Sequence, residues 1–223
     1  NKNTCNFNQG EGISLSWSYY NIFINNICNF NDQGGIVSFS YSYSNTISNN
    51  ICNSNNNSGI SISASERTII SENHCSNNKY NFDLREPEKL LEMKNNYANG
   101  EPVIYLKNVS SVETTEPASM VILIECNNVS VNNISSQNNS YGIYMFGGSE
   151  NSICNNDFSN NRYGIYLDGY GGKCDNNTIV NNQCDSNEVI GISLLLSKYN
   201  NISNNICNMN MYAGISLAYS DSN

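Results

Sequence analysis

The chain has 223 residues, a net charge of −9 and only 10 Lys and Arg, scattered along its length. That balance leaves no basic stripe to track a phosphate backbone or an anionic membrane surface, so nucleic acid is not an expected partner. Hydrophobic residues make up 39%, with no run of roughly 18 apolar positions that could span a bilayer, and the abundant Asn and Ser would read as low complexity unless they recur at a fixed period.

They do recur. Asn25-Asn26-Ile27-Cys28-Asn29-Phe30-Asn31 leads to Gly35-Ile36. Asn49-Asn50-Ile51-Cys52-Asn53-Ser54-Asn55 leads to Gly59-Ile60, and Asn204-Asn205-Ile206-Cys207-Asn208-Met209-Asn210 leads to Gly214-Ile215. Aligned in chain order, one column reads Asn3, Asn26, Asn50, Asn73, Asn96, Asn133, Asn156, Asn182, Asn205. A second reads Asn8, Asn31, Asn55, Asn78, Asn138, Asn161, Asn187, Asn210, with a break at Glu101. Between them runs a small or apolar column: Cys5, Cys28, Cys52, Cys75, Ala98, Ser135, Phe158, Cys184, Cys207. A fourth column is aliphatic and follows Gly in most copies (Ile13, Ile36, Ile60, Ile143, Ile165, Ile192, Ile215), usually with a second apolar residue two positions on.

Apolar residues at i and i+2 mean a short strand with one buried face. Strands this short bury little alone, but stacked coils place equivalent residues about 4.8 Å apart and turn each column into a ladder. Asn suits the bends, since its amide bonds the Asn above and below and tolerates unusual backbone angles. The two Asn columns mark two bends, and Gly marks a third. The expected fold is all-β: a single-stranded, right-handed parallel β-helix of about nine or ten coils, with a repeat of about 22–24 residues. It forms one domain over residues 1–223, read as a piece of a longer protein whose further coils or domains continue from the open ends.

Between Asp83 and Cys126 the repeat loses its regularity. All three prolines (Pro87, Pro102, Pro117) and the densest charge run fall there. Two protruding loops are expected, at roughly 84–92 and 108–118. A smaller loop, Asp168 to Lys173, lengthens one later coil.

Nine Cys are present, and Cys28, Cys52, Cys75, Cys184 and Cys207 share the inward column, where they are expected as stacked buried thiols. Ladder spacing exceeds the roughly 3.8 Å that a disulfide prefers between Cβ atoms. With no C-x-x-C pair and a sole His74 at an outward position, no metal site or cofactor is expected.

Glycoside hydrolysis needs two carboxylates across a cleft. Asp83, Glu101, Glu125, Glu150, Asp157 and Asp168 lie near the loops, none in a clustered pair, and Asp83, Glu101 and Asp168 are the candidates. The Asp-Pro-His-Glu box of mannuronan epimerases is absent, as are the His-Gly and Arg-x-Lys pairs of polygalacturonases. Binding is easier to build. Tyr144 and Tyr166 occupy outward positions on adjacent coils, Tyr105 is placed on the same face, and Tyr170 and Asp168 lie nearby. Tyr pairs an apolar ring with a polar tip, which suits sugar faces, although Tyr also simply fits a strand surface.

The Asn-x-Ile-x-Asn-Asn coils with Gly-Ile-Tyr-Leu resemble the NosD-like repeat family of carbohydrate-binding and sugar-hydrolase β-helices. Asn96-Tyr97-Ala98-Asn99-Gly100-Glu101-Pro102-Val103-Ile104-Tyr105 is similar to the family's Asn-x-Val-Asn-Gly-x-Pro-Leu-x-Tyr segment. Residues 121–133, from Val121-Ile122-Leu123 through Cys126 to Asn132-Asn133, are similar to its Val-Ile-Leu-x-x-Cys-x-Asn segment. The resemblance implies an exported, extracytoplasmic protein of the cell surface or periplasm. The family's named member is an accessory of copper-site maturation, but no His-rich copper site is present here to carry that role over. The expected function is a surface scaffold binding glycan or polysaccharide, the alternatives being a polysaccharide-active enzyme or a copper-maturation partner.

Overall fold

A computed structural model describes residues 1–90, 92–114 and 117–223. Residues 91, 115 and 116, within the two expected loops, lie outside that range. The described chain is all-β apart from one 3-10 turn, Pro87–Lys89. It is a parallel β-solenoid of about nine coils, in two compact units. One holds Asn1–Val103 with Asn138–Ser140, the other Ile104–Gln137 with Tyr141–Asn223.

In the first unit, strands Ile13–Ser16, Ile36–Phe39, Ser58–Ile62 and Tyr80–Leu84 pair parallel in that order. A second sheet stacks Ile22–Ile24, Thr46–Ser48, Ile69–Ser71 and Glu92–Lys94. The third face stacks Ile51–Asn53, His74–Ser76 and Tyr97–Ala98. In the second unit, Met120–Ile124, Tyr141–Phe146, Tyr163–Asp168, Ile190–Leu195 and Ala213–Ala218 form one sheet. Glu113–Thr114, Ser130–Asn132, Ser152–Cys154, Thr178–Val180 and Asn201–Ser203 form another. The Gly-Ile strands align column on column, Ile143 with Ile165, Ile192 and Ile215. The inner members Ile143, Ile165 and Ile192 are fully buried, each worth about 1.5–3 kcal/mol.

The bends explain the Asn-Asn pairs. The first Asn takes a left-handed backbone and the second turns inward: Asn25 (φ 59°), Asn49 (φ 55°), Asn155 (φ 57°) and Asn181 (φ 58°) each precede a ladder residue. The inward Asn accepts at Oδ1 from the backbone and side-chain amides of its neighbour, as Asn50 does from Asn26 at 2.9 Å in both contacts. Its own Nδ2 donates to a backbone carbonyl, as Asn73 does to Ile47 at 2.9 Å.

This geometry shifts part of the expected register. Asn133 is not a ladder residue. It holds the left-handed position (φ 58°), and Ile134 occupies the inward one, its amide donating to Asn156 Oδ1 at 2.9 Å. The same one-residue shift makes Asn139 the inward residue beside the left-handed Asn138, and puts Ser136 in the small inward column. An Asn-Asn pair is ambiguous by one position, and the backbone chooses.

The glycines do not mark a bend. Gly35, Gly59 and Gly164 lie in or beside strands, and a Cβ on Gly59 would sit 2.9 Å from Cys75 Cβ and 2.6 Å from a backbone oxygen. Gly is there because the inward Cys of the neighbouring coil fills the space. Another bend has its own Asn ladder, unnoticed in the sequence: Asn151, Asn177, Asn200 and Asn223 in the second unit, and Asn21 with Asn45 in the first.

At Asn99 (φ 51°) and Gly100 (φ 89°) the chain reverses. Two consecutive positive φ values make the tight hairpin turn that Asn-Gly favours, so Tyr97 pairs antiparallel with Pro102 and Ala98 with Glu101. The charged segment beyond Leu84 keeps to a coil corner. Arg67 donates its amide to the Lys89 carbonyl at 2.9 Å, while Pro87 and Leu90 are buried.

Candidate functional site

On the second unit, parallel pairing sets Tyr144 beside Tyr166 and Tyr141 beside Tyr163. The Tyr144 and Tyr166 rings stack at 5.8 Å with planes 5° apart, and Tyr141 stands 4.9 Å from Tyr144. These four rings form one aromatic cluster. Tyr144 is only 1% exposed, so its ring offers no face to solvent, contrary to the sequence expectation that it would contact a ligand. Tyr163 and Tyr166 remain partly exposed.

Asp168 ends the same strand as Tyr166. Its Oδ2 accepts from Tyr144 Oη at 3.2 Å and its Oδ1 from the Tyr170 amide at 2.9 Å. Two donors thus orient a half-exposed carboxylate. The Asp168 to Lys173 loop folds close to the coils: a Cβ on Gly171 would run into Phe146, and one on Gly169 into the Leu196 carbonyl. Tyr170 projects from this loop and is 81% exposed.

The other expected site residues are not part of this group. Tyr105 lies on strand Glu101–Lys107, with Met120–Ile124 between it and the Tyr144 strand, and the register neighbour of Tyr144 on that side is Ile122. Asp83 is buried on the first unit, where its Oδ2 accepts from Ser61 Oγ at 3.4 Å and lies 4.0 Å from Arg85. Glu101 is exposed on the hairpin, opposite Ala98 and in a different sheet from Asp83.

Cys28, Cys52 and Cys75 are fully buried, and all nine cysteines are free thiols. A hydrogen bond to Cys52 and burial raise the Cys28 thiol, and burial raises Cys52. Burial pushes Cys174 up to about 12. The neighbouring Cys207 thiol and burial raise Cys184, and the Cys184 thiol lowers Cys207. Among the described residues, no three His, Cys, Asp or Glu side chains converge to hold a metal ion.

The first unit carries one further feature that no catalytic or binding motif in the sequence marks. At the first Asn bend of the first unit, a groove of about 570 Å³ is lined by Asn25, Asn49, Glu72 and Asn95 on one side and Ile51, His74 and Tyr97 on the other. His74 and Tyr97 stack at 4.9 Å, 6° from parallel. The signal was present in the outward column Ile27, Ile51, His74, Tyr97, between the two Asn columns.

The sequence profile of the family described as periplasmic copper-binding protein (NosD) matches residues 1–110 and again residues 94–223. Among solved structures, the chain is similar to the A-module of the Azotobacter vinelandii mannuronan C-5 epimerase AlgE6, at 15% identity and a TM-score of 0.36. That match covers 92% of this chain and 58% of the other, so the chain spans little more than half of that module's length. No curated protein matches the chain. Among the described residues, no helix is long and apolar enough to cross a membrane. Since the two profile matches together run over the whole sequence, the chain belongs to the NosD family.

Proposed function

We propose that the chain is an extracytoplasmic β-solenoid scaffold that binds glycan on the outer face of its second unit, beside Asp168. The observation that carries this reading is the Asp168 carboxylate, oriented by Tyr144 Oη and the Tyr170 amide, with the partly exposed Tyr166 on the same strand and the exposed Tyr170 two residues beyond Asp168. A carboxylate held in place accepts from sugar hydroxyls without being ordered by the ligand first, and Tyr rings cover the apolar faces of a sugar. Tyr144 acts here as a buried brace. The family's description as periplasmic supports a setting in which envelope and extracellular polysaccharides are within reach.

The test is incubation of the chain with neutral and acidic polysaccharides, reading both retention on the polymer and release of new reducing ends or unsaturated uronate. Retention without release, lost in Tyr166→Ala with Tyr170→Ala, is the expected result. Release would replace the scaffold with an enzyme.

The family's description favours a second reading, copper handling. Copper(I) takes thiolate and thioether donors. Here Cys28, Cys52 and Cys75 are buried, and Cys52 hydrogen-bonds to both of the others. Met209 and Met211 are exposed on the last coil, away from any convergent His or carboxylate among the described residues. This donor set does not fit a resident copper site. Stoichiometric copper(I) uptake that survives a competing chelator would overturn that conclusion.

A further inference from the structure

We infer that the groove at the first Asn bend is a second ligand site, for an extended neutral oligosaccharide lying along the stacking axis. This rests on the glycan reading above but uses different residues.

The groove takes its direction from its lining. Asn25, Asn49, Glu72 and Asn95 come one from each of four successive coils, as do Ile51, His74 and Tyr97 from three. Equivalent residues on stacked coils rise by about 4.8 Å, so one side is a rail of amides and a carboxylate and the other a wall of apolar and aromatic groups, both repeating along the axis. A ligand that matches both sides is itself extended and repeating, with hydroxyls along one edge and apolar ring faces along the other. An oligosaccharide has that form.

The left-handed backbone of the rail fixes where its side chains stand. Asn25, Asn49, Glu72 and Asn95 have φ between 51° and 59°, and the ladder Asn that follows each is buried. The rail residue is therefore the outward member of each pair. Inward bonding of its partner holds the bend, and the rail side chains stay exposed, Asn49 donating its Nδ2 to Ser48 Oγ at 3.0 Å and keeping its Oδ1 for a donor. At Glu72 the rail carries a left-handed Glu where Asn would be less strained. On the wall, His74 and Ile51 point outward and are exposed. His74 stacks on Tyr97 face to face, so the two coils present a continuous column of ring edges to the groove.

Charge selects the class of sugar. The groove lining includes Glu72 and no Lys or Arg. A polyuronate would set its carboxylates against Glu72 without a cation to pair them, whereas neutral hydroxyls can donate to Glu72 and to the amide oxygens. The same corner of the second unit carries the same rail, Asn155, Asn181 and Asn204, in a groove of about 500 Å³. Its wall is Asp157, Gln183 and Ile206 in place of the rings. The rail belongs to the repeat, and the ring wall distinguishes the first unit.

The experiment is calorimetric titration of the whole chain with cello-, manno- and chito-oligosaccharides of two to six units and with oligogalacturonate. The variants are His74→Ala with Tyr97→Ala, Tyr97→Phe, and Tyr166→Ala with Tyr170→Ala, each checked for an unchanged melting transition. The expected result is affinity for a neutral oligomer that rises with length, falls on the order of tenfold or more in the His74 and Tyr97 double variant, and survives in Tyr97→Phe. Loss in Tyr97→Phe as large as in the double variant would overturn apolar contact with the ring column. Neutral-oligomer binding that only the Tyr166 and Tyr170 variant abolishes overturns this site and leaves the first intact. Binding that only the His74 and Tyr97 variant abolishes supports this site and removes the first. Binding of oligogalacturonate alone, or of nothing, overturns the proposal.

Discussion

The Tyr144 phenol donates to Asp168 across neighbouring strands at 3.2 Å, while the Tyr144 ring lies buried against Tyr141 and stacked on Tyr166. One side chain thus does two things. Its ring is part of the packing, and its hydroxyl orients the Asp168 carboxylate.

Separate substitutions should divide those roles. Tyr144→Phe keeps the ring and loses the bond to a half-exposed carboxylate, an expected cost of about 1 kcal/mol. Tyr144→Ala empties a buried ring site and should cost about 3–5 kcal/mol. Urea denaturation measures both. Equal costs would mean that the ring contributes no packing.

The register shift at Asn133 makes a sharper comparison. Asn156→Ala strands the Ile134 amide and the Val131 carbonyl, both partners of the Asn156 side chain, and should cost about 1–3 kcal/mol for each stranded group. Asn133→Gly changes only an outward left-handed residue, a conformation Gly adopts freely, and should stay within about 0.5 kcal/mol. Thermal melts of the two variants settle which residue is the rung.

Gly164→Ala would place a methyl 2.5 Å from the Gly191 carbonyl oxygen and 3.0 Å from Cys184 Cβ. Overpacking of this kind costs about 1–3 kcal/mol. Adding Cys184→Ala should give little relief, because the Cβ remains and the carbonyl clash is untouched. Full rescue by that second change, read from the melting temperature, would show that the sulfur was the obstacle.

The buried thiols predict loss of stability in alkali. Their pKa values are raised in the fold (Cys174 to about 12, with Cys28, Cys52 and Cys184 also raised), so the folded state holds protons that the unfolded chain releases above pH about 9. The stabilisation is complete below that pH and is lost as pH rises toward the folded value. The slope is about 1.4 kcal/mol per pH unit for each thiol still protonated in the fold. Denaturant midpoints measured from pH 8 to 11 check this, and a flat profile would place the thiols in contact with solvent. At neutral pH, a disulfide-exchange reagent should modify the half-exposed Cys5, Cys154 and Cys207 well before Cys28, Cys52 and Cys75.

The solenoid was legible from residue spacing alone. A ladder needs the same chemistry at the same place in every coil, and Asn26, Asn50 and Asn73, with Cys28, Cys52 and Cys75, repeat at that period. What spacing does not carry is the choice between neighbours of like chemistry. In Asn132-Asn133-Ile134 the polar residues precede the inward position, and only the backbone conformation shows that Ile134 takes it. The tertiary structure also decided the candidate sites. Whether Tyr144 faces solvent or packing depends on what lies over its strand. The His74 and Tyr97 rings form one stack only when coils 23 residues apart in sequence pair in register. A periodic sequence determines its repeat because each coil is its neighbour's template. Exposure is set by everything packed around a side chain, and that is written in no single repeat.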